Sequence, residues 1–199
     1  IIAMHHNENM WDMGGLKDRM RITYLTFLSG SLALAGIVPF AGFWSKDEVL
    51  YETLVHGLGG RPLLLLAYAM GLIAVFFTGF YTFRMVFLTF HGEPRTDVAE
   101  DPEPVRWNVK FPLVVLGIGA AVVGFVNMGV LKNVIGDANL FLHEWLAGGV
   151  EGLNAHHYTE VLETVAGYHA AGLSPFVAGA ASLGLAVVGV LAAYRLYRS

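Results

Sequence analysis

Four uncharged runs, separated by charged or glycine-rich stretches, set the pattern of this chain: residues 22–45, 62–83, 111–131 and 173–194. About twenty apolar residues suffice to cross a bilayer as a helix. The last three runs predict plain spans. One begins at Pro62, whose missing N–H costs nothing in a first turn, and closes on Arg84 (62–84). One lies between Lys110 and Lys132. One closes on Arg195 and Arg198 (173–195). Gly117, Gly119 and Gly124, then Gly179, Gly184 and Gly189, offer these two spans small faces for close helix contact.

The first run is different. Gly36, Pro39 and Gly42 interrupt it just before Lys46, Asp47 and Glu48, and Pro39 both lacks a donor and clashes with the preceding turn. A break is expected between Pro39 and Lys46. Ser45 followed by Glu48 fits a capping box, with Trp44 and Val49 placed as a hydrophobic staple, so a new helix is expected to start at Lys46. Residues 22–56 as one rod would reach roughly 52 Å, against a hydrocarbon core of about 30 Å. Either the second half leaves the lipid or the element is broken within it.

The intervening stretches read as loops. Residues 1–4 look like the tail of a preceding span, 5–21 is polar with Gly14 and Gly15, and 57–62 is a turn. The stretch 85–110 is a charged, proline-rich loop. Residues 132–172 are mixed, and 139–145 and 158–170 fit short interfacial helices.

Composition narrows the class. The 199 residues are 55% hydrophobic and 14% charged, with mean hydropathy +0.56, whereas soluble domains carry about a quarter charged residues. An all-α membrane protein with about four transmembrane segments is predicted, the first discontinuous. A net charge of −4 gives no nucleic-acid signal, and the absence of cysteine excludes disulfides and thiolate-held metals in this chain. Ile1 is not followed by a basic leader, so the chain is expected to be a piece of a longer protein. Lys17, Arg19, Arg21, Arg84, Arg95, Arg106, Lys110, Arg195 and Arg198 fall on one side by loop alternation, leaving Arg61 and Lys132 opposite and Lys46 in the joint. The positive-inside rule makes the richer side cytoplasmic, with the N-terminal loop and C-terminal tail there.

An ionisable residue at a broken helix within lipid is by default functional, because irregular backbone survives there only beside protein or water. Lys46 is therefore the main candidate. At a helix N-terminus the macrodipole disfavours its charge, while Asp47 and Glu48 favour it. The competing reading is that Ser-Lys-Asp-Glu merely caps an interfacial helix with a hydrated lysine. Glu52 and His56, four apart on one helical face, could relay protons outward, or could form an ordinary polar face. Arg84 is expected to anchor the end of its span by snorkelling. His5, His6, His143, His156, His157 and His169 lack the i, i+4 spacing of a helical metal site and read as solvated loop residues. No nucleotide or flavin motif is present.

The runs IAMHHNENMWDMGGL (2–16), GIVPFAGFWSKDEVL (36–50), YTFRM (81–85) and FHGE (90–93) resemble the L-type subunit, subunit 5 in mitochondria, of proton-pumping NADH-quinone oxidoreductase, respiratory complex I. From about Val98 onward only the hydrophobic profile agrees. The resemblance implies an antiporter-like, all-helical subunit whose broken helix carries a lysine, here Lys46, on the proton path toward the outer side. Asp47 and Glu48 would share that path. The sister M-type subunit has glutamate at that position. It also implies that NADH, FMN, iron–sulfur clusters and quinone are bound by other subunits and that the M-type subunit is the chief neighbour. The location would be a bacterial inner membrane. The earlier broken helix would precede Ile1 and a lateral helix would follow Ser199. Val38 stands where the family often has a second proline, which leaves the extent of unwinding open. Mrp-like cation/proton antiporter subunits and the photosynthetic complex share parts of the motif; Trp44 also suits the photosynthetic type, and FHGE leans to the respiratory one.

Overall fold

The computed structural model describes residues 1–126 and 172–198, and every regular element among them is helical. After two 3-10 turns, Ile2–Met4 and Met10–Asp12, come α1 (Leu16–Arg19), α2 (Arg21–Ala35), α3 (Ala41–Leu58), α4 (Pro62–Phe90), α5 (Asp97–Glu100), α6 (Trp107–Val126) and α7 (Pro175–Tyr197). Among the described residues, three helices are long and apolar enough to cross a membrane: Pro62–Phe90, Trp107–Gly124 and Phe176–Tyr197. The remaining element, α2 with α3, is the discontinuous one. The expected short helices 139–145 and 158–170, the end of the third span (127–131), His143, His156, His157 and His169 lie outside the described residues.

The central pair is α4 and α7, and small residues set how close they come. A Cβ on Gly79 would fall 2.7 Å from the carbonyl oxygen of Ala186, and one on Gly189 would fall 3.0 Å from the Phe80 amide nitrogen. Such backbone approach supplies the dispersion contact that lipid cannot. Around this pair, Ala35, Phe83, Val86, Phe87 and Ala193 are buried with α2 alongside. Leu50, Val75 and Ala186 are buried with α3 alongside. On the other flank α6 packs on α2 where Gly117 meets Thr26, and the Ser29 hydroxyl donates to the Gly117 carbonyl at 2.6 Å.

Two helix ends differ from the sequence expectation. The second span runs six residues beyond Arg84, because Val86, Phe87, Leu88 and Phe90 are buried and the Arg84 guanidinium lies 5.3 Å over the ring of Tyr197. A cation–π partner lets the charge sit within a helix rather than end it. The third span starts at Trp107, ahead of Phe111, with Pro112 inside the helix. Ile2–Met4, expected as the tail of a preceding span, is a 3-10 turn with Ala3 and Met4 buried.

The loops near α2's start, α4's end and α7's end meet in one cap. Arg95 Nη1 donates to the carbonyls of Met13 at 2.9 Å, Leu88 at 3.0 Å and Met10 at 3.3 Å, tying the first loop to the end of α4. Arg19 Nε donates to the Glu100 carbonyl at 2.6 Å, the Thr96 hydroxyl donates to the Asp12 carbonyl at 2.8 Å, and Trp11 stacks at a tilt on Tyr197. Beneath them Met4, Met13, Leu16, Phe90 and Ala99 form a small apolar core. Arg95→Ala removes all three carbonyl contacts and is expected to weaken the cap by about 2–3 kcal/mol, the scale of charge-assisted hydrogen bonds. Amide exchange at residues 10–16 in the full-length protein should accelerate, and unchanged protection would contradict that role.

Candidate functional site

The site is the joint between α2 and α3, and its geometry starts from how α2 stops. A helix leaves its last four carbonyls without intrahelical donors. Gly36, at φ +75°, takes the left-handed turn that glycine tolerates best. The Gly36 amide then donates to Ala33 at 3.1 Å and the Ile37 amide to Leu32 at 3.0 Å. This is a Schellman stop, and it satisfies two of the four carbonyls. The other two, of Leu34 and Ala35, accept from Lys46 Nζ at 3.1 and 3.2 Å. One ammonium thus completes the end of α2.

This arrangement corrects the expected placement of the lysine. Helix α3 starts at Ala41, with Phe40 as its extended N-cap after Pro39, so the break spans residues 36–40 and not the stretch up to Lys46. Ser45 already lies inside the helix, and the capping box and staple are not formed. The reason is tertiary: Gly42 abuts the backbone of Ala33, and Ala41 and Trp44 sit against Gly124 of α6, so the chain rejoins the bundle as soon as the proline is passed. Lys46 therefore lies in the second turn of α3 and faces the negative end of α2, where a cation is favoured, rather than a positive helix end. Gly36 serves twice, since a Cβ there would fall 2.9 Å from Nζ.

The other candidates separate. Asp47 turns away from α2 toward α7, where the Ser182 hydroxyl donates to its Oδ1 at 3.0 Å. Lys46 and Asp47 are not among the ion pairs of the described residues, as expected for adjacent helical positions. Glu48 is exposed. Further along α3, His56 Nε2 and Glu52 Oε2 lie 3.2 Å apart, so the anticipated i, i+4 pair does form. Arg84 sits at the far end of the bundle beside Tyr197, in the cap and away from the joint. His5 lies 3.3 Å from Glu103 in the loops.

Sequence reasoning missed the hydroxyls. A largely apolar cleft of about 350 Å³ between α2, α4 and α6, walled by Phe27, Leu34, Met85, Leu113 and Leu116, also carries Thr23, Thr26, Ser31 and Thr82. Thr82 is 1% exposed, and its hydroxyl has no hydrogen-bond partner among the described residues. Leu34 lines this cleft, and its carbonyl accepts from Lys46. Nothing local distinguishes these serines and threonines from ordinary helix positions. Only their convergence from α2 and α4 does.

At the cap, His91 follows α4 and its Nε2 lies 3.5 Å from the Tyr24 hydroxyl. Burial, then the positive fields of Lys17 and Arg198, hold its imidazole below the ordinary value. The neutral ring is the folded form, so the unfolded chain binds more protons once the pH drops past about 6.5, and cap stability falls with it. Above that pH the contribution is fully present. Protection of the loop amides, taken relative to their intrinsic exchange rate at each pH, should fall on acidification from neutral pH, and His91→Gln should flatten this response; an unchanged response in that variant would assign it elsewhere.

Fold and joint together define a polytopic helical membrane protein with a lysine-closed discontinuous helix. Residues 1–78 match the family described as NADH:quinone oxidoreductase/Mrp antiporter, TM. The chain is 40% identical over 144 residues, 69% of its length, to NADH-quinone oxidoreductase subunit L of Pseudomonas aeruginosa. It is 31% identical over its whole length to subunit L of Rickettsia bellii. It is 33% identical over 96% of its length to the chloroplastic NAD(P)H-quinone oxidoreductase subunit 5 of Chaetosphaeridium globosum. The chain spans 22%, 28% and 26% of these three relatives respectively. It belongs to the subunit L/subunit 5 family of antiporter-like complex I membrane subunits.

Proposed function

We propose that this chain is the part of an L-type subunit that carries protons through Lys46 while NADH-driven quinone reduction elsewhere in the complex supplies the energy. One observation carries the reading: a single titratable ammonium completes the helix end at a break between two half-helices. A lysine in that place holds its proton against backbone carbonyls, which cannot take it, and gives it up only when another acceptor or water reaches Nζ. The cleft beside α2 shares Leu34 with the joint and holds the unpartnered Thr82 hydroxyl, which supports it as the side from which α2 is approached. Asp47, exposed Glu48 and the Glu52–His56 pair extend along α3 toward its far end as the onward path.

On this reading NADH, FMN, iron–sulfur clusters and quinone belong to other subunits, and the M-type antiporter-like subunit is the principal neighbour within the lipid bilayer. The basic cap faces the cytoplasm of a bacterial cell, in its inner membrane, with the end of α3 facing outward. The second reading is a cation/proton antiporter subunit, favoured by a matched family whose description spans both kinds of protein. A photosynthetic assignment has its support in the chloroplastic relatives. Proteoliposomes carrying the full-length protein in its complex separate the first two. NADH oxidation should drive proton uptake into the lumen at the same rate with and without sodium. Proton movement that needs sodium, or that proceeds without NADH when a sodium gradient is imposed, would overturn the proposal.

A further inference from the structure

The geometry points to Ser182 as a positioning residue that lets Asp47 bind and release a proton without leaving its place against α7, an assignment that rests on the proton path proposed above. Ser182 is 3% exposed, and its single hydroxyl hydrogen has two acceptors in reach, Asp47 Oδ1 at 3.0 Å and the Gly179 carbonyl at 3.1 Å. Gly179 also makes room for the carboxylate, since a Cβ there would fall 2.5 Å from Asp47 Oδ2. Serines in helices commonly donate back to a carbonyl one turn earlier. Here the same oxygen also faces a carboxylate from another helix, 135 residues away in the chain.

Two arrangements follow from that inventory of donors and acceptors. With Asp47 ionised, Ser182 donates to Oδ1. When a proton arrives on Oδ1, the carboxylic O–H donates to Ser182 Oγ, and the serine hydrogen rotates to the Gly179 carbonyl. No proton passes through the serine, and departure of the proton from Oδ1 reverses both rotations. Both protonation states are therefore hydrogen-bonded in place, which an alanine or a fixed donor would not allow. The other titratable groups around Asp47 are Lys46 and Glu48 on α3 itself and Tyr68 of α4. The stretch of α7 that follows Ser174 is uncharged up to Arg195.

The test uses the full-length protein in its assembled complex, with the Asp47 carboxyl vibration identified by its loss in Asp47→Asn. Ser182→Ala should shift that band and lower proton movement through this subunit roughly tenfold, the scale of one hydrogen bond to a charged group. Ser182→Thr should restore both, because it keeps the hydroxyl and its back-bond. Gly179→Ala, which adds a methyl and removes no polar group, should displace the carboxylate and shift the same band. An unmoved band in both Ser182→Ala and Gly179→Ala overturns the assignment. The band reads Asp47 without turnover, so a failure of Lys46 to titrate would appear in pumping alone and leave this result distinct.

Discussion

Lys46→Ala in the assembled oxidoreductase is expected to abolish most of the proton movement through this subunit, on the order of a hundredfold, the scale of a positioned proton-transfer group. The same substitution strips the Leu34 and Ala35 carbonyls of their donor at the end of α2. The Ala35 carbonyl, on a buried residue, costs about 1–3 kcal/mol when left unsatisfied, and the more exposed Leu34 carbonyl adds less. On the proposed reading, alanine therefore removes a proton carrier and loosens a joint at once. Native electrophoresis and NADH oxidation should show whether the complex has assembled, and pumped protons per NADH then report the loss. Full pumping with intact assembly would mean that the lysine is only a structural cap.

Gly36→Ala should produce the second large effect without touching a charged residue. Its φ of +75° costs a residue with a Cβ about 1–2 kcal/mol. The added methyl would also stand 2.9 Å from Nζ, 3.3 Å from Cε and 3.4 Å from Cδ of Lys46. The lysine is flexible and will move, and in moving it gives up one or both carbonyls. The expected result is a stability loss of roughly 2–4 kcal/mol together with impaired pumping, because strain and a lost charge-assisted bond add. Gly36→Asn tolerates the left-handed backbone better, so it should recover part of the stability while still crowding the ammonium. Equal pumping in all three proteins would show that the contact between Gly36 and Lys46 has no bearing on transport.

Much of this was legible in the chain because apolar length and charge placement act locally. The runs beginning at Pro62 and ending near Tyr194 announce helices wherever they are placed, and Gly36 with Pro39 announces a break. The point of restart was not legible. Ser45 and Glu48 make a sound local cap, but Gly42 on Ala33 and Gly124 on Ala41 draw the chain back into a helix earlier, and tertiary contact outweighs a cap. The same holds for Arg84, which looked terminal because its Tyr197 partner lies more than a hundred residues away. The sequence singles out Lys46 by its place between apolar stretches but not the carbonyls it meets, since Leu34 and Ala35 are distinguished only by the Schellman turn that leaves them free. Ser182 carried no signal at all. Its meaning depends on a carboxylate contributed by another helix.

The most direct measurement is the number of protons pumped per NADH by Lys46→Arg in the full-length protein, assembled in its complex and reconstituted in liposomes. A guanidinium can still donate to the Leu34 and Ala35 carbonyls and keep the helix end closed, but it does not release its proton at working pH. NADH oxidation and assembly should persist while pumping through this subunit is lost. Pumping equal to that of the unsubstituted protein would contradict the account.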